Sequence, residues 1–216
     1  MNKKTQTLVT IVMAIATGIT IAKSLLNPDV QASRIATYSF PQTVALDSWK
    51  LVTSKDTVET IDLVGDIVAT RKYEYQQPKQ NLVIRVRYLT NTDGDIKSIV
   101  DKRIGNLTTA LRNNPSGDYA LYTYQGKAYL NACLNPNGES TVTSDAFNRN
   151  HTIYSRNWRR ITPWFLGKRD LKDKRCLWMQ LLIDLPPETP IEETYRTLEL
   201  VWSDWLKYWQ PNFPDE

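Results

Sequence analysis

Histidine occurs once in this chain of 216 residues, at position 151, and cysteine only twice, at 133 and 176. That scarcity restricts the chemistry available. Two cysteines and one histidine leave a tetrahedral zinc site one ligand short. A thiol enzyme would have to bring His151 to Cys133 or Cys176, and neither cysteine sits in a nucleophile signature. A Walker loop, a dinucleotide glycine fingerprint, Gly-x-Ser-x-Gly and His-Glu-x-x-His are all missing, so no cofactor is expected. Asp93-Gly94-Asp95 begins like a calcium loop. Its glycine follows Asp93 directly and no glutamate closes the loop, so no metal is expected either. Internal repeats and low-complexity blocks are also missing.

Charge of one sign is scarce as well. The net charge of +4 comes from 27 basic and 23 acidic residues. Lys3, Lys4 and Lys23 lie in the N-terminal segment, and setting them aside leaves 24 basic against 23 acidic. A nearly neutral domain has no phosphate-binding footprint, which argues against a nucleic-acid partner.

Aromatic residues, by contrast, are abundant: seven Trp and eleven Tyr call for a well-filled core or an adhesive surface. One long apolar run is also present. Residues 5–22 read TQTLVTIVMAIATGITIA without a charge, close to the minimum for a membrane-crossing helix. Two lysines precede it, which orients the following domain outward. The rival reading is a signal peptide cut after Val30-Gln31-Ala32. That site lies about ten residues beyond the apolar run, whereas h-regions span only ~7–15 residues, so an uncleaved anchor is favoured. The expected organisation is an anchor or signal segment over 1–26, a linker over 27–45 and an exported domain over 46–216.

Within that domain, 67–75 and 82–89 alternate as antiparallel strands, with Ile67, Ala69, Tyr73 and Tyr75 on one face of the first. Leu82, Ile84, Val86 and Tyr88 share one face of the second, and Arg85 and Arg87 share the other. Asp95 offers an N-cap to an amphipathic helix marked by Ile96, Ile99, Val100, Ile104, Leu107 and Leu111, which Asn113-Asn114-Pro115 would end. Strands at 119–124 and 127–134 flank a Gln125-Gly126 hairpin. Residues 140–143 follow an Asn135–Gly138 turn as a short strand or helix lead-in. Residues 175–184 are apolar on both faces and read as a central strand. Thr189, Pro190 and Glu192 form a capping box for a last helix with Ile191, Tyr195, Leu198, Trp202, Trp205 and Trp209 on one stripe. Of these, Trp209 is the one least expected in the core. The fold class is α+β: an antiparallel sheet packed by helices, preceded by a single N-terminal membrane helix.

Two features remain open. Cys133 and Cys176 can form a disulfide in an oxidising compartment or stay as buried thiols. Arg149, Arg156, Arg159 and Arg160 cluster with Trp158, either as a binding surface for an acidic partner or as a solvated loop with an aromatic anchor. His151 is read as part of that polar surface stretch.

The sequence resembles the cyanoexosortase A system-associated proteins, a cyanobacterial accessory family of the exosortases, which are thought to process proteins bearing a PEP-type sorting signal. The resemblance rests on the N-terminal apolar segment, on YEY…LVIRVRYLTNTDGD (73–95), AYLNACLNPNGESTVT (128–143) and PWFLGKRDLKDKRCLW (163–178), and on the Trp-rich last helix. It implies a single-pass protein of the plasma membrane with its C-terminal domain on the periplasmic side. Its partners would be an exosortase, the sorted substrate or envelope polysaccharide, and its role non-catalytic. An exported thiol enzyme using a cysteine and His151 is the alternative.

Overall fold

Alternation of apolar and polar residues builds a sheet whose two faces bury different chemistry. The computed structural model describes residues 6, 10–18, 38–58, 65–105, 109–155, 172–186 and 188–214. It separates into two units, Met1–Ile35 and Ala36–Glu216. In the first, residues 10–18 are helical. Among the described residues no helix is long and apolar enough to cross a membrane.

The second unit is α+β. Its strands are β1 (Lys50–Asp56), β2 (Asp66–Gln77), β3 (Gln80–Thr90), β4 (Ala110–Asn114), β5 (Gly117–Tyr124), β6 (Lys127–Leu134), β7 (Ser140–Thr141) and β8 (Cys176–Asp184). Helix α1 spans Ile96–Ile104, α2 Ser144–Ser155 and α3 Ile191–Trp209. The strands form one sheet in the order β1-β2-β3-β8-β6-β7-β5-β4, with β6 also paired to β5. Strand β8 is therefore central, and it is buried along its length up to Ile183. The pairings are antiparallel except for one parallel contact between Gly117 and Ser140, so the sheet is mixed rather than purely antiparallel. Gly117 permits that contact. Its φ is 113°, and a Cβ there would lie 2.2 Å from the Ser140 carbonyl oxygen.

One face of the sheet carries Tyr73, Tyr75, Leu82, Ile84, Val86, Leu130, Leu134, Met179 and Leu181, and α3 packs on it. Trp202, Trp205 and Trp209 of α3 are all within 1% of full burial, so Trp209 is core after all. Trp205 meets Tyr73 edge-on at 5.3 Å, and Trp209 meets Phe40 at 5.6 Å. The N-terminal approach to the sheet belongs to this layer. Residues 38–45 fall within the expected linker, yet Phe40 and Val44 are buried in the core. Tyr73 and Tyr75 donate from their hydroxyls to the carbonyls of Pro41 and Val44, at 2.7 and 2.8 Å. Arg71 donates to the Phe40 carbonyl and pairs with Asp56.

Local chemistry overturns four expectations. Ile67 does not share a face with Ala69, Tyr73 and Tyr75. A bulge between Ile67 and Ala69 shifts the register, so Ile67 packs on the opposite face. The first helix ends at Ile104, not near Asn113, because Gly105 takes φ 72° at its C-cap; Leu111 sits instead on β4, exposed. Asp95 does cap that helix, accepting from the Ser98 amide at 3.1 Å. Helix α3 lacks the expected capping box. Pro190 is its N-cap with no side-chain cap bond, and Glu192 instead pairs with Arg112 of β4 at 2.7 Å. His151, fourth, is no loop residue. It lies in α2, 6% exposed, with its ring 4.1 Å from that of Phe147.

Candidate binding site

Among the described residues, the second face of the sheet is covered over only part of its length. Leu89, Cys133, Cys176 and Trp178 pack beneath Ile96 and Val100 of α1 and Phe147 of α2. Beyond them the strands present polar and aromatic side chains in register. Arg85 on β3 faces Gln180 on β8, and Gln180 faces Asn131 on β6. On β5, Tyr122 faces Tyr129 of β6. A cleft of about 300 Å³ opens here, walled by Ile99, Val100 and Ile104 on the helix side and floored by Arg85, Gln180, Tyr122 and Tyr129. That volume is at the lower end for small-molecule sites, ~300–1,000 Å³.

The hydrogen bonds under the cleft run in a fixed direction. The indole Nε1 of Trp178 can only donate, so Asn131 must present its Oδ1, at 3.0 Å. Asn131 therefore turns its Nδ2 to the Tyr122 hydroxyl, at 2.9 Å. Arg85 can also only donate, and Gln180 gives its Oε1 to Arg85 Nη1 at 3.2 Å. That turns Gln180 Nε2 to the same Tyr122 oxygen, at 3.4 Å. The Tyr122 oxygen thus accepts twice, and its own hydrogen is left to point to a third partner. Burial pushes the Tyr122 phenol up to about 12, against the two amide donors, which pull it down. It stays protonated and able to donate across the ordinary pH range. Its ring lies parallel to that of Tyr129 with centroids 4.9 Å apart. Deeper on the same face, the guanidinium of Arg87 sits over the Trp178 ring at 4.2 Å.

The cysteines are joined to each other. Cys133 on β6 and Cys176 on β8 form a disulfide with Cα atoms 5.6 Å apart, fully buried beside Trp178. Asn135, which follows Cys133 closely, locks the turn: its amide and its side chain both donate to the Glu139 carbonyl at 2.9 Å. No thiol is therefore available to pair with His151. Arg149 is exposed on α2. Arg156, Trp158, Arg159 and Arg160 lie outside the described residues. Among the described residues no group of His, Cys, Asp or Glu is placed to hold a metal ion.

Sequence reasoning missed this cleft because its residues are far apart in the chain. The polar interruption of an apolar strand by Gln180, and the outward Arg85 beside it, were the available signal. Comparison with protein families, curated proteins and solved structures found no match to the chain.

Proposed function

We propose that the chain is an exported, non-catalytic accessory protein of a cyanobacterial exosortase system. Its N-terminal segment anchors it in the plasma membrane as a single pass, with the domain on the periplasmic side. There it binds the exosortase, the sorted substrate or envelope polysaccharide. The single observation that carries this reading is the buried Cys133–Cys176 disulfide. Such a bond persists in oxidising compartments outside the cytoplasm and removes both thiols from chemistry. The apolar run at 5–22 and the sequence resemblance supply the membrane and the system.

Solubilising membranes in mild detergent and purifying the full chain tests the partner: an exosortase should co-purify. A chain that elutes alone, together with intact sorting in a deletion strain, overturns the reading. N-terminal sequencing of the mature protein tests the anchor, and a sequence beginning at Ser33 would refute it.

A further inference from the structure

The sheet ends in two edges that are finished differently. At β1 the edge is defended. A bulge between Leu51 and Thr53 breaks its register, and Lys50 and Lys55 stand exposed along it. Strand β4, the other edge, pairs with β5 without a break from Ala110 to Asn114 and carries neither a bulge nor a lysine. Its Leu111 is 51% exposed.

The hairpin that follows fixes which main-chain groups of β4 point outward. Gln125 and Gly126 take φ 48° and 71°, the two positive values of a type I′ turn, so Tyr124 and Lys127 form a hydrogen-bonded pair. Alternation along β5 then turns the main chain of Tyr122 and Ala120 to β6, and that of the residues between them to β4. Those residues are Leu121, Tyr119 and Gly117, whose partners are Ala110, Arg112 and Asn114. The N–H and C=O groups of Leu111 and Asn113 therefore point away from β5, and among the described residues no strand meets them.

Residues 109–113 are complementary to themselves. Set antiparallel against a second copy with Leu111 on the two-fold axis, the stretch pairs Leu111 with Leu111, Ala110 with Arg112 and Thr109 with Asn113. The outward-facing main chains then form the hydrogen-bonded pairs. The exposed apolar side chain meets its equal. Arg112, held by Glu192 and Glu199, meets a small alanine rather than a like charge, which would oppose pairing. Helix α3 adds to the seam. Its Glu192 and Glu199 lie beside β4, and Arg196 on the same stripe is exposed with no ion pair among the described residues, so Glu192 of the second copy is a partner for it.

We infer that β4 is the seam of a two-fold dimer, in which two copies join their sheets edge to edge around Leu111. The inference stands on the chemistry of the edge and holds with or without a sorting system.

Cross-linking tests it. The native cysteines are bonded to each other, so a cysteine introduced at 111 is the single thiol of the chain. Hydrogen-bonded antiparallel partners have Cα atoms about 5.5 Å apart, within reach of a disulfide. Full-length Leu111→Cys in detergent should form a covalent dimer on mild oxidation at least ~10-fold faster than Val52→Cys, because seated copies raise the effective thiol concentration. Val52, 59% exposed on the β1 edge, controls for collision. Equal rates, or no covalent dimer of Leu111→Cys, overturn the inference. Light scattering of the wild type should give twice the chain mass of protein per particle, and a single chain overturns the inference as well. Leu111→Pro removes the outward N–H and should give one chain mass with a thermal midpoint close to wild type. A dimer that persists in folded Leu111→Pro places the contact elsewhere and refutes the seam. If the proline variant does not fold, the cysteine pair decides.

Discussion

The two faces of the sheet are built from the same strands yet end in opposite states. Under α3 the rows of side chains are apolar across all the inner strands, and three tryptophans close over them. Under α1 and α2 the rows change character along the strands. The row Arg87, Trp178 and Cys133 is buried; the next, Arg85, Gln180 and Asn131, is polar and runs into the cleft. The difference follows from hydrogen bonding. An apolar row needs only shape to be sealed, whereas a polar row must find partners for each donor and acceptor. Asn131, Tyr122, Gln180 and Arg85 are joined by a chain of hydrogen bonds that runs along the floor of the cleft. The first face is a core; the second is a core along one edge and, among the described residues, opens into the cleft along the other.

Breaking the α3 face should have the largest effect. Trp205→Ala removes a fully buried ring against Tyr73 and Tyr75 and should cost roughly 3–5 kcal/mol, read from the urea midpoint. A midpoint within error of wild type would mean that α3 is not the main seal. On the other face, Cys133→Ser with Cys176→Ser should cost about 2–4 kcal/mol, and reduction of the wild type should reproduce the loss. Equal midpoints for oxidised and reduced protein would show that the bond adds nothing to the packing around it.

Alkaline pH should sharpen the comparison further. Burial raises Tyr122 from 10.0 to about 12, so the folded state favours the protonated phenol. Its contribution is then intact below pH 10 and is lost as pH rises from 10 to 12. Burial and the Glu199 carboxylate raise Tyr119 to about 12 as well, under the α3 face. The thermal midpoint should fall between pH 10 and 12, and less steeply in Tyr122→Phe. An identical slope in that variant would place the whole effect on other tyrosines. The smallest effect belongs to Thr189→Ala. Since Thr189 caps nothing, its loss should shift stability by no more than about 0.5 kcal/mol. A cost near 1 kcal/mol would restore the capping box that the sequence suggests.

What the sequence determined by itself is periodic or punctuated. The alternation at 82–89 placed Leu82, Ile84, Val86 and Tyr88 on the core face. The three-and-four spacing of the last helix put Trp202 and Trp205 in the core, and Gln125-Gly126 announced its hairpin. These signals are local, because strand and helix geometry alone sets which residues share a face. The tertiary structure decided the rest. The bulge that turned Ile67 over was set by pairing with β3, invisible in an alternation that continued past it. Leu111 has the spacing of a helix, but the Ala110–Asn114 pairing with β5 outcompetes it beyond Gly105. Glu192 matches a cap and is taken instead by Arg112, about eighty residues earlier in the chain. The cleft is the clearest case. Arg85, Tyr122, Asn131 and Gln180 carry no motif, because their relation exists only after β3, β8, β6 and β5 lie side by side and each donor-only group has fixed the amide next to it.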